Sequence, residues 1–111
     1  MKLQKELVAA SSAAMVLSIL AEGDNYGYAI IQRVRDLSQG QIEWTDGMLY
    51  PVLHWLEERR WVRGRWEKAE SGRRRRYYSL EPKGRAALKE HRTQWEIVTS
   101  TLNQLWRPQY A

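Results

Sequence analysis

Four consecutive arginines followed by two tyrosines, Arg73-Arg74-Arg75-Arg76-Tyr77-Tyr78, are the residues of this 111-residue chain best equipped for binding chemistry. A guanidinium holds phosphate oxygens through planar paired hydrogen bonds, and a phenol adds a hydroxyl and a flat ring. In a strand, alternate members face opposite sides, so some of these arginines face solvent while an aromatic neighbour packs inward. A second set, Thr45, Asp46, Gly47, Tyr50, Pro51 and His54, is gathered over a short stretch. Helical spacing places Gly47, Pro51 and His54 opposite Leu49, with Tyr50 on one flank and Met48 and Trp55 on the other. Tyr and His near a helix N-terminus suit contacts to phosphates and base edges in a DNA major groove.

Other chemistries lack their groups. There is no Cys, and His54 and His91 lie far apart, so no disulfide, metal site or other cofactor is expected. No paired carboxylates mark a cleft and no Gly-rich loop offers a phosphate cradle, so an enzyme is not expected. Lys and Arg number 18 against 13 Asp and Glu, for a net charge of +5. The surplus is local: residues 1–56 carry −2, residues 57–92 carry +7 and residues 93–111 carry 0. One basic segment on a near-neutral body points to a confined polyanion-binding surface. The apolar run Val8–Leu20 is too short to span a bilayer and is broken by Ser11, Ser12 and Ser18. It passes into Ala21-Glu22-Gly23-Asp24 without a cleavage site, so neither membrane nor secretion is expected and the cytoplasm follows by default.

The elements that must position these groups follow from periodicity and stop signals. Residues 4–21 read as a first helix, stopped by Gly23-Asp24-Asn25. Tyr26–Leu37 reads as a second, with Ile30, Val34 and Leu37 on one face, and Ser38-Gln39-Gly40 ends it. Thr45-Asp46 offers a cap for a third helix running to about Arg60, whose Leu49, Val52, Leu53 and Leu56 follow the i, i+3, i+4, i+7 rule. Pro51 inside it removes the bond to the Gly47 carbonyl. Trp61–Trp66 and Arg75–Leu80 read as two strands joined around Ser71-Gly72. Glu81-Pro82 starts a last helix that reaches about Trp106. Three helices, a basic hairpin and a long helix give a mainly α winged helix-turn-helix, with 1–80 as the DNA-binding domain and 81–111 as a dimerisation helix.

That last helix carries a heptad-like seam of Gly84, Leu88, His91, Trp95, Val98, Leu102 and Leu105. So small a core leaves the seam for another chain. The first helix is apolar on two sides: Val8, Met15, Ile19 and Leu20 can face the core, while Leu7, Ala10, Ala14 and Leu17 form a second stripe. A symmetric homodimer, with the last helix of one subunit on the first helix of the other, would satisfy both surfaces. Leu88, His91, Trp95, Val98, Leu102 and Leu105 are its expected contacts.

Gly23-Asp24-Asn25-Tyr26-Gly27-Tyr28, Gly47-Met48-Leu49-Tyr50-Pro51-Val52-Leu53-His54-Trp55-Leu56-Glu57 and Gly72–Tyr78, with Leu80-Glu81-Pro82-Lys83-Gly84, resemble the PadR-like transcriptional regulators. The resemblance covers nearly the whole chain and is nearest the small subfamily. It implies a winged-helix homodimer that binds an inverted-repeat operator, usually as a repressor released by a small molecule. It assigns DNA contacts to Tyr26, Thr45, Asp46, Gly47, Tyr50, Pro51, His54, Arg73, Arg74, Arg75, Arg76 and Tyr77. The chain is also similar to the multidrug-responsive members, which stack flat aromatic ligands on paired Trp residues at the dimer interface. Trp95 matches that place, and Leu7, Ala10, Ala14, Leu17, Val98 and Leu102 match its apolar lining. Thr99 stands where the pattern has an acid, which favours neutral or anionic aromatics over cations. Trp55 replaces the usual Arg of the recognition helix, and Glu81 replaces a Ser or Thr cap. A non-specific architectural or RNA-binding protein using the same wing is the alternative, distinguished by salt-dependent binding without sequence preference.

Overall fold

Seven elements succeed one another in the computed structural model, which describes residues 3–108. They are α1 (Lys5–Glu22), β1 (Asn25–Tyr26), α2 (Gly27–Leu37), α3 (Asp46–Glu58), β2 (Val62–Lys68), β3 (Arg74–Leu80) and α4 (Pro82–Leu105). The architecture is the expected winged helix-turn-helix followed by a long helix. The outermost positions of the two expected segments, residues 1–2 and 109–111, lie outside the described residues.

Local chemistry accounts for the boundaries. Thr45 sits in extended backbone and its Oγ1 accepts from the Met48 N–H at 3.3 Å, capping α3 as its sequence suggests. At the other end Arg60 turns left-handed, with φ 60°, and Trp61 N–H reaches the Leu56 carbonyl at 3.0 Å. Glu81 precedes α4 without any side-chain cap hydrogen bond, and Pro82 sets the first turn. The hairpin turns at Gly72, whose φ of 87° favours glycine and whose N–H donates to Ala69 O at 2.8 Å.

The sheet is antiparallel with order β1-β3-β2. β1 pairs Asn25 with Tyr78 and Tyr26 with Tyr77, adding a strand that the stop signal Gly23-Asp24-Asn25 did not suggest. Two residues are too few to show a period of two.

Val16, Leu17, Leu20, Ile30, Leu49, Leu53 and Leu56 form the fully enclosed centre of the core. Leu17 therefore differs from expectation: it faces the interior of its own protomer, not the outward stripe with Leu7 and Ala10. Leu88 differs likewise, packing in the same core from α4 with 9% exposure. Leu37, expected on one face with Ile30 and Val34, is 62% exposed in the final turn of that helix while those two are buried. In each case the helical face was assigned by spacing, while burial is decided by where neighbouring elements end.

Candidate nucleic-acid interface

Cα partners in the antiparallel ladder share a face, so the register sorts the wing. Tyr78 lies opposite Gly64 and Arg76 opposite Trp66, on the side turned toward α3 and the core. Tyr77 lies opposite Arg65 and Arg75 opposite Glu67, on the outer side. The four-arginine run is thus dealt to two faces.

An open groove of about 1390 Å³ separates α3 from the wing. Asp46, Tyr50, Pro51 and His54 line it from α3, Tyr26 from β1, and Arg73, Arg74, Arg75 and Arg76 from the wing, Arg75 reaching it from the outer face. Thr45 and Gly47 are exposed at the start of α3 but do not line it, and Tyr77 turns to the outer face. Tyr50 is 45% exposed and its hydroxyl lies close to Gly27, where an added Cβ would approach it to 2.8 Å. A glycine at the start of α2 therefore lets the phenol lie back against that turn.

Each wing arginine has its own surroundings. Arg75 stands 4.4 Å from the Tyr26 ring centre, and Tyr26 meets Tyr77 edge-on at 5.3 Å. Arg74 lies 5.2 Å from the Trp66 ring centre. Among the described residues, no carboxylate pairs with Arg73, Arg74 or Arg75. Arg76 differs, with its Nη2 donating to Glu57 Oε2 at 3.1 Å. Arg65, which its sequence context does not single out, bonds Ser79 at 2.6 Å, Glu67 at 3.0 Å and Asp24 at 3.0 Å. Burial pushes the Tyr78 hydroxyl up from its ordinary pKa, the Glu57 carboxylate adds to this, and Arg76 opposes it.

Trp66 and Glu57 are among the lining residues that escaped sequence reasoning. Trp66, 56% exposed on the wing, has the same strand parity as the buried Val62, so alternation places it on the α3 side. Glu57 reads as an ordinary helical acid until the register brings Arg76 over it. Trp55, which replaces an expected arginine, turns away from the groove: Arg59 covers its ring at 4.0 Å and Trp61 meets it edge-on at 5.4 Å.

A second, apolar groove of about 650 Å³ runs between α1, the end of α2 and α4. Leu7, Ala14 and Trp95 line it, together with Met15, Leu37 and Arg92. Ala10, Val98, Thr99 and Leu102 are exposed but not part of its lining, and the buried Leu17 is excluded from it. Thr99 turns its hydroxyl back to the Trp95 carbonyl at 2.6 Å. His91 packs edge-on against Trp61 of its own protomer at 5.9 Å. Val98 and Leu105 are 50% and 69% exposed.

The transcriptional regulator PadR-like family matches residues 16–90, from the middle of α1 into α4. The chain belongs to this family. Its members are regulators of transcription, not enzymes. The PadR-like chain is 32% identical over 84 residues to the transcriptional regulator YqjI of Escherichia coli K12, a match covering 76% of this chain but only 39% of that protein. Among solved structures, a transcriptional regulator from Clostridium thermocellum superposes with a TM-score of 0.82 at 25% identity, covering 93% of this chain and 100% of that one. A PadR family transcriptional regulator from Eggerthella lenta gives 0.77 at 28% identity, covering 94% and 88%. No helix among the described residues is long and apolar enough to cross a membrane.

Proposed function

We propose that this PadR-like regulator is a cytoplasmic homodimeric repressor that binds an inverted-repeat operator in double-stranded DNA. Residues 1–80 form the reading domain in this scheme and residues 81–111 the dimerisation helix. The observation that carries it is the groove itself: an exposed Tyr50 and His54 on α3 line it together with Arg73, Arg74 and Arg75, which no described carboxylate neutralises. Such cations release counterions from phosphate, while α3 presents its first turns to base edges. The exposed Val98, Leu102 and Leu105, continuing the seam from the half-buried Trp95, would join two copies so that the recognition helices reach grooves about 34–36 Å apart.

The test is fluorescence anisotropy on DNA upstream of the chain's own gene, beside a random duplex of equal length. Tight operator binding with weaker random binding is expected. Equal affinity for both would favour the architectural alternative. Tyr50→Phe should weaken operator binding; unchanged affinity would remove that hydroxyl from the interface.

The same reading includes release by a planar aromatic molecule stacked on Trp95. Support comes from the apolar groove that Trp95 shares with Leu7 and Ala14. Offset stacking on an indole contributes about 0.5–1.5 kcal/mol beyond area burial. Anthraquinone-2-sulfonate is a suitable anionic probe. It should bind wild type, bind Trp95→Ala at least several-fold more weakly, and loosen operator binding. Equal binding by both proteins would exclude Trp95 as the platform.

A further inference from the structure

Arg76 is the member of the arginine run that the structure sets apart. Its Nη2 lies 3.1 Å from Glu57 Oε2, and the two side chains are only 31% and 24% exposed. The guanidinium lies flat across β2 over Gly64, where an added Cβ would come within 2.7 Å of Nη2 and 2.8 Å of both Cζ and Nε. A glycine at that register position is what leaves room for the arginine to reach α3. Arg73 and Arg74, nearer the tip, are exposed and have no described carboxylate partner. One cation of four is therefore committed within the protomer.

We propose that Glu57 and Arg76 are a positioning pair that fixes the wing against the recognition helix, and that Glu57 thereby withholds Arg76 from the phosphate backbone. The inference rests on the DNA-binding reading and deepens it. A guanidinium already neutralised by a carboxylate condenses no phosphate when DNA arrives, so it adds nothing to the salt dependence of binding. Holding Arg76 also fixes the distance between wing and α3, so the remaining arginines meet phosphates only when α3 is seated in its groove. Sequence-independent attraction falls and register is enforced. Glu57 is a specificity determinant in this scheme without touching a base.

The experiment measures the slope of log affinity against log salt on a random duplex, and the operator-to-random ratio, for wild type, Glu57→Gln, Arg76→Gln and the double variant. Glu57→Gln should steepen the slope by about 0.9, so that the affinity gained between about 200 and 50 mM salt grows by about 3.5-fold. Its operator-to-random ratio should fall. The double variant should return to the wild-type slope, because the added phosphate contact is Arg76 itself. Gly64→Ala, which drives the guanidinium off Glu57 by another route, should reproduce the Glu57→Gln slope, and melting curves check that each variant is folded. A merely structural pair would lower stability without steepening any slope. An unchanged slope in folded Glu57→Gln overturns the inference. So does an Arg76→Gln slope flattened by about 0.9, which would make Arg76 an ordinary phosphate contact. Wild type without salt-dependent binding to any duplex would instead sink the DNA-binding reading and take this inference with it.

Discussion

Along α4, Gly84 and Leu88 are buried in their own protomer, whereas Val98, Leu102 and Leu105 on the same seam remain exposed. The residue pattern does not change at the boundary; the surroundings do. A helix of 24 residues is about 36 Å long, more than the globular body beside it can cover. A heptad-like seam therefore says that something packs there, and not whether that neighbour is the same chain or another. The wing repeats the lesson on a smaller scale. Arg76 is spent inside the protomer while Arg73 and Arg74 project from it.

The sharpest way to break the comparison is to charge the free half. Val98→Glu with Leu102→Glu should leave the protomer folded and abolish the proposed dimer. Operator affinity should then fall by about 10²–10⁴-fold, the advantage of tethering two half-site readers. Sedimentation velocity and anisotropy read the two effects, and a dimer that survives both charges would place the interface elsewhere.

The packed half makes the opposite demand. In that monomeric background, Leu88→Ala should lower unfolding free energy by about 2–5 kcal/mol, through lost burial and the cavity left behind. Leu105→Ala, at 69% exposure, should change it by less than about 0.5 kcal/mol. Urea unfolding distinguishes them. Equal losses would mean that both halves belong to one core and that the exposed seam is not a free surface.

In the wing, Arg74→Ala and Arg75→Ala should each flatten the salt slope by about one unit, with operator and random DNA weakened together. A loss confined to the operator would turn either residue into a base reader.

How much of this was legible depends on how local the cause is. Thr45 caps α3 and Pro82 opens α4 because the decisive hydrogen bond or steric limit lies within one turn. The Arg-Tyr run is recognisable as a strand of a basic wing for the same reason. Leu17 and Leu88 were misplaced because their partners are far away in the chain, and spacing alone cannot say which apolar stripe a neighbour covers. Glu57 and Trp66 stayed hidden because their roles exist only in the β2–β3 register, which sets Arg76 opposite Trp66 and beside α3. The fold was thus readable from periodicity and caps. The division of labour among the arginines was not, since it depends on a pair 19 residues apart in sequence.

The smallest effect belongs to a pair that joins α1 to α2, outside α4 itself. Arg33 donates from Nε to Glu22 Oε1 at 3.1 Å and from Nη2 to Oε2 at 2.8 Å, tying the end of α1 to α2. This hydrogen bonding holds the Glu22 carboxyl below its ordinary pKa, with desolvation opposing it and the Arg33 charge adding a smaller pull in the same direction. A depressed carboxylate stabilises the fold above its unfolded pKa, and that contribution is lost as pH falls through the folded one. Both side chains are about half exposed, so solvent and salt screen most of it. Glu22→Gln should therefore barely change the melting temperature at neutral pH, and should flatten its decline only through the acidic range where a carboxylate titrates. The variant should keep the proposed dimer and the wing's salt slope intact. A large loss of stability at neutral pH would show that the link between α1 and α2 bears on the core beneath Leu17, and that the division between packed and projecting regions extends beyond α4.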